Sequence, residues 1–418
     1  MRPLRILVTA TEKIPSVELG ALIPLGAAEA RGICAPLYKD LMQISVLDIA
    51  WCDILLIVRG VTAEAVDCAS AAKKYGRMVL GYWDDDMTGI PQYSSSFKQR
   101  TRPDIKQNIQ NLFAITDKFF TPTAKLAGKL SRLHGRQASV LPVLPLDDRF
   151  KPPSGHEPAR RVAGYAGSAD HGQLLNSLCL PVVSNLHNQF VDVKFEVLGP
   201  PPAARYWMKR YIKYIPYVRN YHKYLDLAVS LDWHIGLAMQ EADEFTTYKF
   251  YNKFMEYTYI GCAGIYTNVE PYLSVIEDGI TGLLCENTSR AWEDAVARLL
   301  NDGDLALRIK KNSYDFFKAK HDREKLLDNY LSVLGPCLDF RAPEISQESL
   351  KGDPQYSRRN KALRIFHHIR KQSLDRTFRD ILNRIVAQPA VYAIYLRTLP
   401  LFDLMSRRNG HNKTQDTP

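Results

Sequence analysis

The sequence lacks long hydrophobic runs: none of its 418 residues lies in an uninterrupted apolar stretch of 18 or more. A bilayer-spanning helix needs about 20 consecutive apolar residues, so the sequence predicts no membrane-spanning helix. The first apolar run, at positions 6–8, is shorter than the core of a signal peptide. We therefore expect a cytoplasmic protein.

Cysteine is sparse and irregularly placed. The seven cysteines are odd in number, and no two of them have the C-x-x-C spacing. Disulfide-rich folds and structural zinc sites depend on paired or closely spaced cysteines. The pattern excludes those two classes and is typical of reduced core side chains in a cytosolic protein.

The chain's net positive charge is concentrated at one end, and most of the chain has almost no excess of either charge. Residues 351–418 carry 14 lysines and arginines against five aspartates, whereas the remainder is nearly balanced. A basic appendage indicates a surface contact rather than a nucleic-acid-binding fold. Apolar residues recur at helical spacing among these arginines, as in helices that lie in a membrane interface. Two alternatives stay open: the tail binds an anionic membrane surface, or it packs on the body.

Short apolar runs alternate with helical patterns in the first part of the chain. The predicted elements are strands at 4–8, 53–58, 78–83, 118–120 and 139–141 and helices at 63–74 and 105–115. Such alternation is typical of βαβ units in a doubly wound parallel sheet. Residues 142–158 are rich in proline and predict a linker.

The alternation restarts after the linker. The predicted elements are strands at 161–166, 193–198, 233–237, 264–267 and 282–285 and helices at 173–188, 248–260, 269–277 and 289–301. The sequence therefore predicts an α/β protein with two Rossmann-like domains that face each other across a cleft, plus a basic helical C-terminal tail. Ligands of such sheets bind at the carboxyl ends of the strands, which places the expected site in the cleft.

One segment has the residue types of a nucleotide site. Residues 245–257 read FTTYKFYNKFMEY, and on a helix Lys249, Lys253 and Glu256 would lie on one face at i, i+4 and i+7. Lys249 and Glu256 would then stand about 10 Å apart along the axis, which suits phosphates at one end and a ribose at the other. The alternative is a solvated face with an ordinary Lys253–Glu256 surface pair.

This segment resembles the nucleotide-sugar half of group-1 (family 4-like) glycosyltransferases with the B-type fold, in particular the polysaccharide-assembly subgroup. Members read K-x-x-x-K-x-x-E-Y before a glycine and then D-G-x-T-G-L-L, which matches DGITGLL at 278–284. AGYAGSADH at 163–171 is similar to the loop that opens the family's second domain. IVRG at 57–60 and GYWDDD at 81–86 are similar to its first domain.

The resemblance implies four parts of the chain. Residues 1–150 would form the N-terminal acceptor domain, and residues 156–320 the nucleotide-sugar domain. A helix within 321–345 would return toward the first domain, and residues 346–418 would form the basic amphipathic tail.

The resemblance also implies roles for the two lysines and the glutamate. Glu256 would accept hydrogen bonds from the donor's ribose hydroxyls. Lys249 and Lys253 would neutralise the diphosphate and stabilise the leaving nucleotide, which is the main electrostatic task of such a transfer. Tyr257 and Tyr248 flank these residues and are also predicted to lie in the donor site.

A loop from the opposite side would complete the donor site. Gly167 and Ser168 would bring backbone N–H groups and a hydroxyl against the diphosphate. His171, in the same loop, either acts directly in the reaction or only caps a helix. The family has a glutamate at the position of Tyr248 and basic residues after its second-domain strand, where this chain has Ser168. These departures leave the donor identity and the retaining or inverting outcome open.

The acidic triplet at 84–86 follows a predicted strand at the cleft edge. Clustered carboxylates are typical ligands of divalent metals, but B-type transferases do not in general need a metal, and we predict none here. We expect Asp84 or Asp85 to bind the acceptor or to act as a base; the alternative is a loop cap.

Together these features predict a glycosyltransferase that moves a sugar from a nucleotide diphosphate donor to a glycan or lipid-linked acceptor, in surface polysaccharide assembly. It would need no cofactor besides its nucleotide-sugar substrate and no nucleic-acid partner. One alternative is a catalytically silent member of the fold that only binds a nucleotide or a partner. A nucleotide-sugar epimerase is a weaker alternative, because its donor face differs from this lysine-rich one.

Overall fold

A computed structural model describes residues 2–94, 97–146, 150–152, 161–167, 174–187, 189–199, 201–202 and 211–345 of the chain. The strands are Leu4–Ala10 (β1), Cys34–Asp40 (β2), Ile54–Val58 (β3), Met78–Tyr82 (β4), Lys118–Thr121 (β5), Ala138–Val140 (β6), Val162–Ala166 (β7), Lys194–Gly199 (β8), Ile212–Pro216 (β9), Ile235–Ala238 (β10), Ala263–Thr267 (β11) and Leu283–Cys285 (β12).

These strands form two parallel six-stranded sheets. The first has the order β2-β1-β3-β4-β5-β6, and the second has the order β12-β11-β10-β7-β8-β9. In the second sheet the strand order reverses between β7 and β10, which is where doubly wound folds bind ligands. The predicted α/β fold with two Rossmann-like domains is confirmed.

Helices cover the sheets and connect their strands. They are Pro15–Val17 (α1), Ile23–Ala30 (α2), Val46–Trp51 (α3), Ala63–Lys74 (α4), Phe97–Arg100 (α5), Pro103–Ile115 (α6), Ala124–His134 (α7), Leu180–Leu186 (α8), Tyr221–Ser230 (α9), Glu244–Thr247 (α10), Asn252–Ile260 (α11), Ser289–Asn301 (α12), Gly303–Lys320 (α13) and Arg323–Leu338 (α14). Two π-helical stretches, Glu18–Leu22 and Leu175–Cys179, lead into α2 and α8.

Strand β3 shows why the first sheet is covered on both faces. Every residue of Ile54–Val58 is buried, and successive side chains of a strand point to opposite faces. Ile54, Leu56 and Val58 belong to one apolar cluster, whereas Leu55 and Ile57 belong to another that contains α4 residues. A strand buried on both faces needs a continuous apolar run rather than an alternating one, which is what the sequence shows.

Two predicted helices differ from the structure. The helix predicted over 269–277 is wrong, because only a 3-10 turn at Tyr272–Ser274 forms there, directly after Pro271. The helix predicted over 248–260 begins at Asn252 instead.

Strands β2 and β9 were not predicted from the sequence. Both lie at a sheet edge, and their residues are mostly polar or half-exposed.

The last described helix, α14, contacts the first domain. The Tyr330 hydroxyl donates to the carbonyl of Gly20 at 3.3 Å, and Arg31 of the first domain is paired with Glu324 and Asp328. Beyond the helix, the Ala342 N–H donates to Asp53 at 3.0 Å. The predicted basic tail lies outside the described residues. Within the described part of the chain, no helix is long and apolar enough to cross a membrane.

Candidate active site

The carboxyl ends of the two sheets meet in the structure. Asp84 and Asp85 follow β4 of the first sheet, and the segment 243–249 lies after β10 of the second. The Lys249 ammonium, on that segment, donates to Asp85 Oδ1 at 3.0 Å. The carboxyl ends of the two sheets, where ligands of doubly wound folds bind, are therefore in direct contact.

The Glu256 carboxylate is buried, and two side chains donate to one of its two oxygens. Its residue is only 6% exposed, although it lies on a helix beside the cleft. The Tyr224 hydroxyl donates to Oε2 at 2.8 Å, and the Lys253 ammonium donates to the same oxygen at 2.5 Å. Within the described residues both bonds reach Oε2, which leaves Oε1 able to accept from a further donor.

Lys253 belongs to the same cluster. Its ammonium also contacts the Tyr224 hydroxyl at 3.2 Å and lies 5.4 Å from the centre of that ring. The ammonium is partly exposed, with 25% of the side chain accessible. Lys253 can therefore reach a ligand while it keeps its contact with Glu256.

Lys249 does not share a helix with Lys253 and Glu256, so the predicted single helical face is wrong. The physical reason is a bond from the first domain: Thr123 Oγ1 donates to the Tyr248 carbonyl at 2.9 Å. In a continuous helix that carbonyl would accept from the N–H of Asn252, which instead bonds to the Phe250 carbonyl. The chain turns at this point, and Lys249 points toward the first domain.

Arg59 organises the acidic residues after β4. Its guanidinium donates to both oxygens of Asp84, at 2.5 and 2.8 Å, and to Asp85 Oδ2 at 2.5 Å. Burial alone would lower the pKa of Arg59, but the adjacent carboxylates outweigh burial and raise this pKa above its ordinary value. Arg59 has a φ of 51°, which is unusual for a residue with a side chain.

Asp86 is separate from this pair. It is 1% exposed, accepts from the Thr88 N–H at 3.0 Å and pairs with Lys129 at 2.8 Å. Asp84 and Asp85 therefore share Arg59, whereas Asp86 binds a different cation, Lys129. Among the described residues, no group of three or more histidine, cysteine or acidic side chains could hold a metal ion.

The two tyrosines of the predicted donor site have different surroundings in the structure. Tyr257 is fully buried, and its hydroxyl donates to the Leu237 carbonyl at 2.6 Å, so its side chain packs in the second domain's core. The Tyr248 hydroxyl donates to Glu244 at 3.0 Å, and the Lys129 ammonium lies 4.5 Å from its ring centre. Tyr248 therefore lies at the contact between the domains.

Gly167 directly follows β7, and its N–H donates to the Leu198 carbonyl at 3.1 Å. A methyl group placed on Gly199 would come 2.1 Å from the Gly167 carbonyl oxygen, so the two backbones approach closely. Ser168 and His171 lie outside the described residues. Their predicted roles stay predictions.

Sequence reasoning missed three contributors to this region: Arg59, Lys129 and Tyr224. Arg59 had a usable signal, since it directly follows a strongly apolar strand and precedes Gly60. Lys129 and Tyr224 lie on amphipathic helices with no motif around them. Their contacts with Asp86 and Glu256 depend on tertiary packing alone.

Comparisons with known proteins agree with this architecture. Residues 253–316 match the family model of glycosyl transferases group 1. The structure is similar to the Anabaena protein HepE in complex with UDP-glucose (TM-score 0.58, 11% identity), over 80% of this chain and 100% of that one. It is also similar to sucrose-phosphate synthase from Thermosynechococcus elongatus (TM-score 0.57, 11% identity), over 80% of this chain and 99% of that one.

A third similar structure is a glycosyltransferase from Rickettsia africae (TM-score 0.56, 13% identity), over 81% of this chain and 100% of that one. None of the curated proteins matches the chain in sequence. The resemblance to group-1 glycosyltransferases and the B-type fold are confirmed by these matches.

Proposed function

We propose that this protein transfers a sugar from a nucleoside diphosphate donor to a glycan or lipid-linked acceptor during assembly of a surface polysaccharide. The observation that carries the proposal is the buried Glu256 carboxylate with Lys253 beside it. Both residues lie in the segment that matches the group 1 glycosyl transferases. A similar structure holds UDP-glucose, which makes a UDP-sugar the first donor to test.

The donor would bind with its ribose at Glu256 and its diphosphate at Lys253 and Lys249. A buried carboxylate is an effective ribose acceptor because it forms charge-assisted hydrogen bonds at little cost in reorganisation. When the sugar leaves, negative charge grows on the nucleotide diphosphate, and the two ammonium groups stabilise it. Gly167 and Ser168 would approach the same diphosphate from the β7 side.

The acceptor would bind on the first-domain side of the cleft, next to Asp84 and Asp85. Arg59 donates to both carboxylates and fixes them in place. Either carboxylate could then accept a hydrogen bond, or a proton, from the attacking hydroxyl. His171 would complete the reacting group from the opposite loop.

We expect the transfer to be independent of metal ions. The three aspartates after β4 are already paired with Arg59, Lys249 and Lys129, so their charge is neutralised by the protein. The two lysines on the donor side supply the positive charge that a metal would bring to a diphosphate.

The basic tail would add a membrane contact. Residues 351–418 carry most of the chain's net positive charge among apolar and aromatic residues. We propose that this segment holds the enzyme on an anionic membrane surface at the cytoplasmic face, close to a lipid-linked acceptor.

One observation favours the alternative that this protein is catalytically silent. Tyr248, at the position of the family's glutamate, contacts Glu244 and Lys129 instead of facing an open site. Such a protein would bind a nucleotide through Glu256 but would not turn over its sugar.

Two assays separate these functions. The first is a thermal-shift and calorimetry screen of UDP, GDP and ADP and their sugars, in which we expect a nucleoside diphosphate to bind and stabilise the protein. The second measures release of UDP from the best UDP-sugar, with and without glycan or lipid-linked acceptors. Binding without any hydrolysis or transfer would favour the silent alternative, and absence of nucleotide binding would contradict both.

A further inference from the structure

Tyr224, a residue of α9, reaches the carboxylate of Glu256 on α11. Its hydroxyl donates to Glu256 Oε2 at 2.8 Å, and the Lys253 ammonium donates to the same hydroxyl at 3.2 Å. Helices α9 and α11 contribute to one apolar cluster, which includes Leu225 and Phe254. The packing of two helices, rather than residue spacing within one, therefore brings Tyr224 to Glu256.

The chemistry of the three side chains sets the direction of each bond. A lysine ammonium has only donors, so the Tyr224 hydroxyl accepts from Lys253 and has its one proton available for Glu256. Burial raises the pKa of Tyr224 well above its ordinary value, and the nearby charge of Glu256 adds to this rise. The hydroxyl therefore stays protonated at neutral pH and donates to the carboxylate.

The ring of Tyr224 is held by its neighbours. It stacks on the ring of Tyr221, with the ring centres 6.0 Å apart and the planes inclined by 28°. Tyr221 is itself only 2% exposed. A tyrosine has only two side-chain torsions, so a packed ring leaves its hydroxyl little freedom of position. The bond from Tyr224 to Glu256 therefore starts from a fixed point.

Lys253 is a less rigid support for the same carboxylate. Its ammonium ends a flexible four-carbon stem, and 25% of the side chain is accessible. Under the proposed function Lys253 also binds the donor's diphosphate, which then competes with Glu256 for the ammonium. Tyr224 has no part in binding the diphosphate, so its bond to Glu256 can persist when the donor is bound.

We propose that Tyr224 is a positioning residue that orients the Glu256 carboxylate for the hydroxyls of the donor's ribose. This inference rests on the proposed function. With Oε2 held by Tyr224, Oε1 has a constant position, and a ribose hydroxyl can meet it without reorganisation of the site. The site therefore distinguishes a ribonucleotide from its deoxy analogues more strongly than a freely turning carboxylate would.

The measurable consequence is a coupling between the Tyr224 hydroxyl and the ribose hydroxyls. We expect Tyr224→Phe to weaken UDP binding by about three- to tenfold, the range of one net hydrogen bond. Binding of the deoxy analogue that lacks the hydroxyl bound by Glu256 should change by less than about twofold, because the coupled group is already absent. A tyrosine with a merely structural role would weaken binding of both nucleotides alike.

Tyr221→Phe is the matched control, because Tyr221 lies on the same helix and belongs to the same ring stack. Within the described residues, the hydrogen bonds to Glu256 come from Tyr224 and Lys253. Tyr221→Phe therefore removes a phenol hydroxyl without removing a bond to the carboxylate. We expect it to leave the ratio of the deoxy-UDP and UDP dissociation constants unchanged.

The experiment is calorimetric titration of the full-length protein with UDP and with its 2′-deoxy and 3′-deoxy analogues. Wild type, Tyr224→Phe, Tyr221→Phe and Glu256→Gln are compared, with circular dichroism to verify folding. If Tyr224→Phe unfolds, Tyr224→Leu replaces it. The proposal predicts that discrimination against at least one deoxy analogue falls in Tyr224→Phe and in Glu256→Gln, but not in Tyr221→Phe.

Two results would overturn the positioning role: equal weakening of UDP and both deoxy analogues by Tyr224→Phe, or wild-type discrimination in a folded Tyr224→Phe. Glu256→Gln separates this role from the proposed function. If Glu256→Gln lowers the discrimination and Tyr224→Phe does not, the donor site stands and the role of Tyr224 falls. If wild type binds no UDP, or binds UDP and both deoxy analogues equally, both fall together.

Discussion

Two glutamates of the second domain have similar hydrogen-bond partners but lie toward opposite ends of the strands. Glu256 accepts from Lys253 and Tyr224 beside the cleft. Glu196 is fully buried and accepts from Lys213 at 3.3 Å and from the Trp233 indole N–H at 3.0 Å. Trp233 precedes β10, so this second pair lies toward the amino ends of the strands. Similar chemistry therefore serves a proposed ligand site in one case and the core in the other.

We expect Lys253→Met to lower the turnover number of the proposed transfer more than it lowers donor affinity. Its ammonium matters most when charge develops on the leaving diphosphate, and interactions that strengthen in the transition state act on kcat. Steady-state kinetics with the best UDP-sugar provides the test, with Lys213→Met as the matched control. Equal kcat values in wild type and Lys253→Met would contradict the assignment.

Buried histidines make the protein sensitive to acid. Burial lowers the pKa of His234 and of His321 to about 4, whereas an unfolded histidine has a pKa of about 6.5. Below about pH 6.5 the unfolded chain binds protons that the folded chain does not yet bind, so acid favours unfolding. Each such histidine lowers the free energy of unfolding by up to about 1.4 kcal/mol per pH unit between about 6.5 and about 4.

His234→Gln should therefore reduce the loss of stability on acidification. Chemical denaturation at a series of pH values between 7 and 4 gives the slope of unfolding free energy against pH. We expect a shallower slope in the variant, even if its stability at pH 7 is lower. The same slope in wild type and variant would show that His234 titrates alike in the folded and unfolded chain.

At the level of elements, the sequence predicts best where an element is buried or amphipathic along its whole length. Helices Ala63–Lys74 and Ser289–Asn301 begin and end at the predicted residues, because a threonine cap precedes each and the apolar spacing persists to the end. The start of the helix at Asn252, rather than at residue 248, could not be predicted. Thr123 of the other domain donates to the Tyr248 carbonyl, which local spacing assigns to a bond within the helix.

The ends of β7 and β8 offer a test of the predicted donor-site loop that includes Gly167. Gly199 has a φ of 146°, and a Cβ there would lie 2.1 Å from the Gly167 carbonyl oxygen. We expect Gly199→Ala to displace this loop, lower the free energy of unfolding by about 1–3 kcal/mol and weaken UDP binding. Gly26→Ala, where a Cβ would meet no atom within 4 Å, is the control. Wild-type UDP affinity in a folded Gly199→Ala would exclude the loop from the donor site.

At the scale of the whole molecule, the candidate site combines residues from two domains. Glu256 and Lys253 could be predicted because they lie three residues apart on one helix. The Lys249–Asp85 contact could not, since it joins residues far apart in the chain, and residue spacing carries no information on how two sheets face each other. The sequence thus allowed the Glu256–Lys253 pair to be predicted, but not the contact between Lys249 and Asp85.

The expected metal independence would depend on cations from both domains. We expect transfer to be unchanged by excess EDTA, since Arg59, Lys129 and Lys249 already neutralise the aspartates after β4. The assay compares initial rates with EDTA, with Mg²⁺ and with Mn²⁺. Loss of activity in EDTA that Mn²⁺ restores would contradict this expectation.

The basic tail gives a prediction for the whole chain. Removal of residues 351–418 should weaken sedimentation with vesicles that contain phosphatidylserine, because each basic residue near such a surface contributes about 1 kcal/mol. High salt should release the intact protein from the same vesicles. Circular dichroism of the shortened protein verifies that the body remains folded. Unchanged sedimentation would rule out membrane binding by the tail, and an unfolded body would favour packing instead.

The most direct test of the central claim is calorimetric titration of UDP into wild type, Glu256→Gln and Glu196→Gln. If Glu256 holds the donor's ribose, Glu256→Gln weakens UDP binding by about 1.5–3 kcal/mol, the value of a charged hydrogen bond. Glu196→Gln then lowers thermal stability but leaves UDP affinity at the wild-type value. Equal UDP affinity in wild type and a folded Glu256→Gln would remove this helix from the donor site and contradict the proposed transfer.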